Sequence, residues 1–136
     1  MYSFKGIGLA AVQIGILKRV IVVDVSSNKE KKNPISLINP VITKLSTQTT
    51  VYEEGCLSIP DTFLEIERPK ICEVEYIDTF GKVKILRCDG LLSTCIQHEI
   101  NHLDGKLIID HLSKLKRDLI VKKISKSKTK LDRVVV

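Results

Sequence analysis

The spacing of apolar residues changes at Asp89, and this change constrains the fold more than any other feature of the sequence. Between residues 63 and 87, three segments alternate apolar and polar residues, which is the pattern of half-buried strands. From Asp89 to Gly105 the apolar residues recur at helical spacing, which predicts one amphipathic helix. A further apolar stripe predicts a C-terminal helix from about residue 113. Strands followed by helices indicate an α+β fold, with mainly antiparallel sheets packed around a central helix.

Three earlier segments also favour extended structure. Residues 19–25 are a β-branched run typical of a buried strand, and residues 36–44 and 49–53 follow as two more extended segments. Pro40 interrupts the second of the three, so we expect that segment to lie at a sheet edge or to be broken. The segment LIID, between the two predicted helices, is expected to be extended as well.

The length of 136 residues allows one domain, and we expect it to span residues 1–136. Apolar residues make up 43% and charged residues 28%, which excludes a disordered or collagen-like chain. No apolar run approaches the ~20 residues that cross a bilayer, and the N-terminus does not resemble a secretory signal. We therefore expect a cytoplasmic protein with no membrane partner. Four cysteines without a CxxC pair do not predict a disulfide framework.

The excess of positive over negative charge lies in the C-terminal segment. The net charge is +6 at pH 7, but residues 1–112 hold 13 basic and 14 acidic residues, whereas residues 113–136 hold nine and two. The basicity therefore belongs to the predicted C-terminal helix, where it favours contact with phosphates such as those of RNA. The alternative is a solvated helix face whose lysines keep the protein soluble.

The strongest local signal is HEINH, residues 98–102. Four residues make just over one helical turn, so His98 and His102 project from one face of the predicted helix and can reach one metal ion. Glu99 lies beside them, where a carboxylate can take a proton from water as the general base of metal-assisted hydrolysis. The alternative is a pair of helix histidines that bind no metal and line the interior or face solvent.

Two histidines do not complete a catalytic metal site, because three protein ligands and an open position are usual. The residues themselves leave several candidates for the third ligand: His111, an acidic residue, or Cys56 in the glycine-flanked segment EGCLS. His111 follows His102 by nine residues and misses the offset of six found in extended zinc-protease motifs. Cys56 offers a soft thiolate donor on a segment that can bend toward the helix.

Three short segments together resemble the signature motifs of the peptide deformylases. They are GIGLAAVQ at 6–13, EGCLS at 54–58 and QHEINHLDG at 97–105, and they occur in the order found in that family. The flanking segments SLINP and LDGKLIIDHLS, with the lysine-rich C-terminal helix, extend the resemblance over nearly the whole chain.

The resemblance implies a hydrolase that removes the formyl group from the initiator methionine of nascent peptides and releases formate. It implies one divalent metal ion held by Cys56, His98 and His102, with Fe2+ as the usual ion and Zn2+, Ni2+ or Co2+ tolerated. It implies Glu99 as the general base. Formyl-methionyl nascent peptides are the implied partners, together with the ribosome, which the basic C-terminal helix would approach.

The resemblance also implies how the reacting groups are held. The side-chain amide of Gln13 and the backbone N–H of Leu57 would donate hydrogen bonds to the oxyanion that forms on the formyl carbon. An apolar pocket would take the methionine side chain, and a glycine beside it would let the peptide backbone approach. The positions that match this substrate pocket are Ile7, Gly8, Leu91 and Cys95.

Three features depart from the family pattern. The chain begins five residues before Gly6, where family members have a longer N-terminal segment. Asn101 stands where the family has an aspartate that pairs with an arginine, matched here by Arg68, so we expect a hydrogen bond to remain and the ion pair to be lost. Val12 replaces a proline next to Gln13, and we expect this change to loosen the loop.

Other interpretations of the motifs explain fewer residues. GIGLAA matches a dinucleotide-binding pattern, but that pattern needs a strand before it, and only five residues precede Gly6. A general HExxH protease lacks a downstream third ligand. The more serious alternative is a deformylase-like protein that binds metal or the ribosome without turnover, which the short N-terminus and Asn101 favour.

Overall fold

A computed structural model describes residues 1–26 and 31–134, with side chains described as far as residue 126. The strands are β1 (Gly8–Ala10), β2 (Val20–Val23), β3 (Ile35–Leu45), β4 (Thr49–Cys56), β5 (Ile59–Pro69), β6 (Ile71–Ile77) and β7 (Val83–Asp89). Five of them form an antiparallel sheet in the order β1-β2-β3-β6-β7, and β4 pairs with β5 as a separate antiparallel hairpin. The α+β class expected from the sequence is confirmed.

The two α-helices follow the strands along the chain. They are α1 (Gly90–Leu103) and α2 (Lys114–Val134), so the predicted central helix and the predicted C-terminal helix both form. α1 begins directly after β7 and packs against β1, β2 and β7 of the five-stranded sheet. Within the described ranges, no helix is long and apolar enough to cross a membrane.

The main core lies between α1 and one face of the five-stranded sheet. Residues two apart on a strand point to the same face, so the alternation in the sequence brings Cys72 and Val74 of β6 against the helix. Burying one Val, Leu or Ile side chain contributes roughly 1.5–3 kcal/mol, so this face holds the sheet and the helix together. The buried members of the cluster are Ala10, Ile21, Val23, Leu37, Cys72, Val74, Cys88, Cys95, Ile96 and Ile100.

The prediction that Pro40 breaks its strand or places it at an edge is wrong. β3 spans eleven residues and lies between β2 and β6 in the interior of the sheet. Its pairing with β6 shifts register between Ile38 and Val41, and Asn39 has a φ of 50°. This irregularity takes the proline, which has no N–H, out of the regular ladder, so the strand continues past it.

The segment LIID is helical and not extended. Ile108–His111 forms one turn of 3-10 helix. At its start the backbone N–H of Leu107 donates to Asp110 Oδ2 at 2.8 Å. In an unpaired extended segment the Leu107 N–H would have no hydrogen-bond partner within the protein. The bond to Asp110 provides one and so favours the turn.

A second, smaller core joins the β4–β5 hairpin, this turn and α2. Ile120 and Ile124 of α2 pack against it, whereas Leu115 and Leu119 of the predicted apolar stripe are exposed. α2 therefore packs against this core through only part of its apolar stripe. Its exposed residues include several lysines. The buried members of this core are Cys56, Ile59, Ile108 and Ile109.

Candidate functional site

α1 carries two of the predicted metal ligands on one face. His98 and His102 lie one turn apart, their Nε2 atoms are 3.2 Å apart, and their rings meet edge to face at 68°. His102 is buried and His98 is half-buried. Because both Nε2 atoms meet at one place, the helix presents two imidazole donors to a single position.

Cys56 joins the histidines from the end of β4. The pairing of β4 with β5 is regular as far as Gly55 and then shifts register, and Cys56 follows this shift. Its Sγ atom lies 3.2 Å from His102 Nε2. The donor atoms of Cys56, His98 and His102 all lie within 4.8 Å of one another, and this is the one such group among the side chains of residues 1–26 and 31–126.

This donor set fits a divalent transition metal. Ligand bonds of about 2.0–2.3 Å in a tetrahedral site place the donor atoms roughly 3.3–3.7 Å apart. The Cys56–His102 and His98–His102 separations of 3.2 Å are close to that spacing. One thiolate and two imidazoles suit zinc, iron, cobalt or nickel better than magnesium or calcium. His111, a candidate third ligand from sequence, is exposed and lies outside the group.

A buried carboxylate supports the cluster from behind. Glu54 Oε2 lies 2.8 Å from His98 Nδ1, so the Nε2 atom of that ring faces the cluster. Burial opposes the charge of Glu54, but hydrogen bonds from His98 and Arg68 outweigh it and hold the pKa of this carboxyl below its usual range. A carboxylate in this place fixes the ring of a ligating histidine. Sequence reasoning missed Glu54; its position two residues before Cys56, on the same side of a strand, is a signal that could have found it.

Arg68 completes the buried network through its bonds to Glu54 and Asn101. Arg68 Nε and Nη2 donate to Glu54 Oε1 and Oε2 at 2.5 and 3.0 Å, and Arg68 Nη1 donates to Asn101 Oδ1 at 2.8 Å. Arg68 is 5% exposed and Glu54 is 6% exposed. The arginine therefore keeps an ion pair although residue 101 is neutral, because β4 supplies the counter-charge. The expected hydrogen bond to Asn101 is also present.

Glu99 lies beside the cluster with little polar support. It is 5% exposed, and its Oε2 atom has no hydrogen-bond partner among the described residues. Burial raises the pKa of Glu99 to about 7, although the charges of His98 and His102 act to lower it. A buried carboxylate balanced between its charged and neutral forms is suited to accept a proton and return it.

Contacts within the cluster favour a thiolate. Burial alone would raise the pKa of Cys56, but hydrogen bonds with His102 and His98 outweigh it and lower that pKa to about 6. Burial alone would lower the pKa of His98, but hydrogen bonds with Cys56 and Glu54 raise it to about 9. The thiolate is the form of cysteine that binds metal, so the fold prepares Cys56 for that role.

The segment after β1 presents Gln13 to the same region. It forms a 3-10 turn, Ala11–Ile14, in which Gln13 Oε1 accepts from the Ala10 N–H at 2.8 Å and Gln13 Nε2 donates to Ser58 Oγ at 3.0 Å. These two bonds fix the orientation of the amide. Val12 packs against the main core, so the segment that we expected to be loosened by the loss of a proline is anchored by an apolar contact.

These groups open onto one cleft with a volume of about 880 Å³. Its walls come from β1, the β4–β5 hairpin and α1, and they include Gln13, Leu57 and Glu99. Ile7 and Leu91 are 40% and 42% exposed, so the cleft offers apolar surface close to the polar cluster, as ligand sites do. All four residues predicted for the substrate pocket lie in its walls: Ile7, Gly8, Leu91 and Cys95.

Known protein sequences resemble this chain over its full length. The profile of the family described as Polypeptide deformylase matches residues 1–118. A peptide deformylase from Pelagibacter ubique is 57% identical over 136 residues, which are 100% of this chain and 78% of that protein. A peptide deformylase from Agrobacterium fabrum is 53% identical over 127 residues, covering 93% of this chain and 75% of that protein.

Solved structures show the same fold. The crystal structure of peptide deformylase from Ehrlichia chaffeensis superposes with a TM-score of 0.88 at 38% identity, covering 96% of this chain and 78% of that one. A second structure, of the Ehrlichia chaffeensis enzyme in complex with actinonin, gives a TM-score of 0.84 at 39% identity, covering 93% of this chain and 76% of that one. With a profile match over most of its length and relatives more than half identical, the chain belongs to the polypeptide deformylase family.

Proposed function

We propose that this chain removes the N-formyl group from the initiator methionine of nascent peptides by metal-dependent hydrolysis and releases formate. The observation that carries the proposal is the largely buried group of Cys56, His98 and His102 beside Glu99, a buried carboxylate whose Oε2 atom has no hydrogen-bond partner in the part of the chain that the structure describes. Its similarity to proteins named peptide deformylase supports the same reaction.

Cys56 Sγ and the Nε2 atoms of His98 and His102 would hold the metal. The ion, when bound, supplies a Lewis acid and makes water a nucleophile near neutral pH. The donor set suits the soft-to-borderline ions, and we propose Fe2+ as the resident metal, with Zn2+, Ni2+ and Co2+ as ions the same ligands accept. Glu54 orients His98 for this role through its Nδ1 atom.

Glu99 takes the proton from the attacking water and returns it to the departing amine. Burial supports this role because it raises the pKa of Glu99 to about 7, so neither the charged nor the neutral carboxyl is strongly favoured near neutral pH. Its neighbours in the cleft wall include His98, which places the base next to the proposed ligands. Because Glu99 takes up the proton as the water attacks, the barrier to hydrolysis falls and no free hydroxide ion is needed.

Gln13 and Leu57 would stabilise the oxyanion that forms on the formyl carbon. The Gln13 amide is oriented by the Ala10 N–H and by Ser58 Oγ, and an amide group has a second N–H to donate after the bond to Ser58. The backbone N–H of Leu57 lies on the facing hairpin turn. Donors held in place before the reaction stabilise developing charge without reorganisation.

The methionine side chain would occupy the apolar part of the cleft beside Ile7, Leu91 and Cys95. Leu91 and Cys95 belong to α1, the helix that also carries Glu99 and His98, and Ile7 directly precedes β1, which packs against that helix. The pocket and the reacting groups are therefore held by the same elements. A protein without turnover would need a missing or displaced group, and no observation in the described cleft favours that alternative.

We further propose that residues 1–136 form a single domain that acts in the cytoplasm, where nascent chains emerge.

The direct test is anaerobic formate release from a formyl-methionyl tripeptide by the protein loaded with Fe2+ or Ni2+. We expect catalytic turnover that chelation of the metal stops and metal replacement restores. Stoichiometric metal binding without formate release would contradict the proposed function and favour the binding-protein alternative.

Metal binding should also stabilise the fold, since an ion bound to the native state alone shifts the unfolding equilibrium. At a metal concentration a hundred times the Kd, the expected gain is about 2.7 kcal/mol. Adding Ni2+ to the metal-free protein should therefore raise Tm by several degrees in a thermal melt. Cys56→Ser should abolish most of that rise, whereas Cys88→Ser, the same change in the main core, should keep it. A rise that survives Cys56→Ser would place the ion elsewhere.

For the basic C-terminal helix we propose contact with ribosomal RNA. Lys116 and Lys122 are exposed on α2, which is anchored through Ile120 and Ile124. Each phosphate contact makes binding more sensitive to salt. The double variant Lys116→Glu/Lys122→Glu should therefore weaken co-sedimentation with ribosomes and flatten its salt dependence.

A control double variant with the same charge change separates contact from net charge. Lys18→Glu/Lys82→Glu alters two exposed lysines outside α2 and should retain ribosome binding. Equal losses in both double variants would show a general charge effect, and the lysines of α2 would then only solvate the helix.

A further inference from the structure

Gly8 lies where β1 meets the catalytic carboxylate, and the space above its Cα is already filled. A β-carbon at this position would overlap Glu99 Oε1 and lie 2.9 Å from Glu99 Cδ and 2.8 Å from Cys95 Sγ. Non-bonded carbon atoms pack best at roughly 3.5–4.0 Å, so these separations are repulsive. Position 8 therefore has no room for any side chain while Glu99 keeps its place.

Backbone conformation does not explain this glycine. Gly15, Gly81 and Gly105 have positive φ angles and open space at the β-carbon, so their backbone conformation favours glycine. Gly8 shows the reverse: it pairs with Val23 in an ordinary strand, its φ is not positive, and the space around it is crowded. Glycine is needed at position 8 because a larger residue would not fit there.

The crowding matters because hydrogen bonds do little to hold Glu99. Its Oε2 atom lacks a partner in the described part of the chain, and its side chain has three rotatable bonds. The Glu99 carboxylate and the Sγ of Cys95 together fill the space next to the Cα of Gly8. Cys95 is itself fixed, because it is 5% exposed and its Sγ lies 3.6 Å from the Ile7 carbonyl oxygen.

We propose that Gly8 and Cys95 form a steric seat that holds the Glu99 carboxylate in position for proton transfer, which makes Gly8 a positioning residue. The inference deepens the proposed function and rests on it. A general base acts within about 2.6–3.2 Å of the atom whose proton it takes. A displacement of about 1 Å can cost about a hundredfold in rate.

Gly8→Ala tests the seat through the split between kcat and KM. We expect kcat for formyl-peptide hydrolysis to fall about a hundredfold, with KM within about threefold of the wild-type value. Tm and Ni2+ affinity should stay close to wild type, because the added methyl group displaces mainly the Glu99 carboxylate, the end of a flexible side chain, and leaves Cys56, His98 and His102 unchanged. If Gly8 served only the approach of the peptide backbone, KM would rise and kcat would hold, and the proposal would be overturned.

The double variant Gly8→Ala/Cys95→Ala tests the second half of the seat. Removing Sγ opens space into which the added methyl group can shift, and the Glu99 carboxylate can then return toward its wild-type place. We therefore expect the double variant to recover at least about tenfold in kcat over Gly8→Ala. A double variant that is no more active than Gly8→Ala would overturn the role of Cys95. A fall in Tm of more than about 10 °C in Gly8→Ala would show that the strand itself resists the methyl group, and would overturn the seat.

These outcomes are distinct from a failure of the proposed function. A wild-type protein that binds metal and releases no formate would overturn both. An active wild-type protein with an equally active Gly8→Ala would overturn the seat alone.

Discussion

Replacing Glu99 with glutamine is expected to lower kcat for formyl-peptide hydrolysis by about 10²–10⁴-fold, the contribution of a well-placed general base. The amide has the shape of the carboxylate but cannot take a proton from water. The free energy of unfolding should not fall, because burial already disfavours the charged form of Glu99 and raises its pKa to about 7. Formate release under saturating substrate measures the change in kcat, and a thermal melt measures stability.

Glu65→Gln provides the matched control for this variant. It makes the same chemical change on an exposed residue of β5, so activity and Tm should both stay at wild-type values. Ni2+ should still bind to Glu99→Gln, since Cys56, His98 and His102 are unchanged. A Glu99→Gln protein that keeps more than about one tenth of wild-type kcat would show that another group takes the proton.

Replacing Glu54 with glutamine should have the largest effect on stability. The change leaves the guanidinium of Arg68, which is 5% exposed, without its counter-charge. Breaking a buried ion pair by removing one partner costs about 3–5 kcal/mol. A chain of this length should then lose about 10–20 °C in Tm. Metal affinity should fall about 10–100-fold as well, because His98 loses the group that orients its ring.

The neutral residue at position 101 allows these two effects to be separated. Asn101 accepts a hydrogen bond from Arg68 Nη1, so an aspartate there can restore a negative charge next to the arginine. Glu54→Gln/Asn101→Asp should recover much of the lost Tm. It should not recover metal affinity, because Asn101 does not support His98. Equal recovery of both quantities would mean that the network matters through its total charge and not through the bond to His98.

The elements that the sequence predicts well are those whose pattern is local. The 3.6-residue spacing from Asp89 onward predicts α1, and HEINH within it brings two imidazoles together because one helical turn decides their separation. Alternation predicts β6 and β7 for the same reason. Pro40 is the instructive failure. Proline lacks the N–H that an interior strand donates, so a rule based on the residue alone excludes such a strand. A register shift between β3 and β6 takes Pro40 out of the ladder. That shift depends on how the two strands pair, and no local pattern shows it.

The parts of the site that come from distant segments are not predictable in this way. The residues alone leave Cys56 as one of several third ligands, because its distance to α1 depends on how the hairpin packs. Glu54 is missed because its role depends on hydrogen bonds with Arg68 and His98, which lie 14 and 44 residues away in sequence. The bond between Gln13 and Ser58 spans 45 residues. Such contacts follow from tertiary packing, and only the resemblance to a family pointed to some of these residues in advance.

The division of the strands between a five-stranded sheet and a separate hairpin makes an ion in this site a cross-link. Cys56 belongs to the hairpin and His102 to the helix of the main core, 46 residues apart in sequence. One bound ion would close that long loop. It would also suppress the local unfolding of the hairpin, which small peripheral parts of a protein otherwise undergo without the core. We therefore expect metal occupancy to reduce how often the hairpin separates from the rest of the protein. Amide hydrogen exchange in β4 and β5 should then report metal loss before the main core responds.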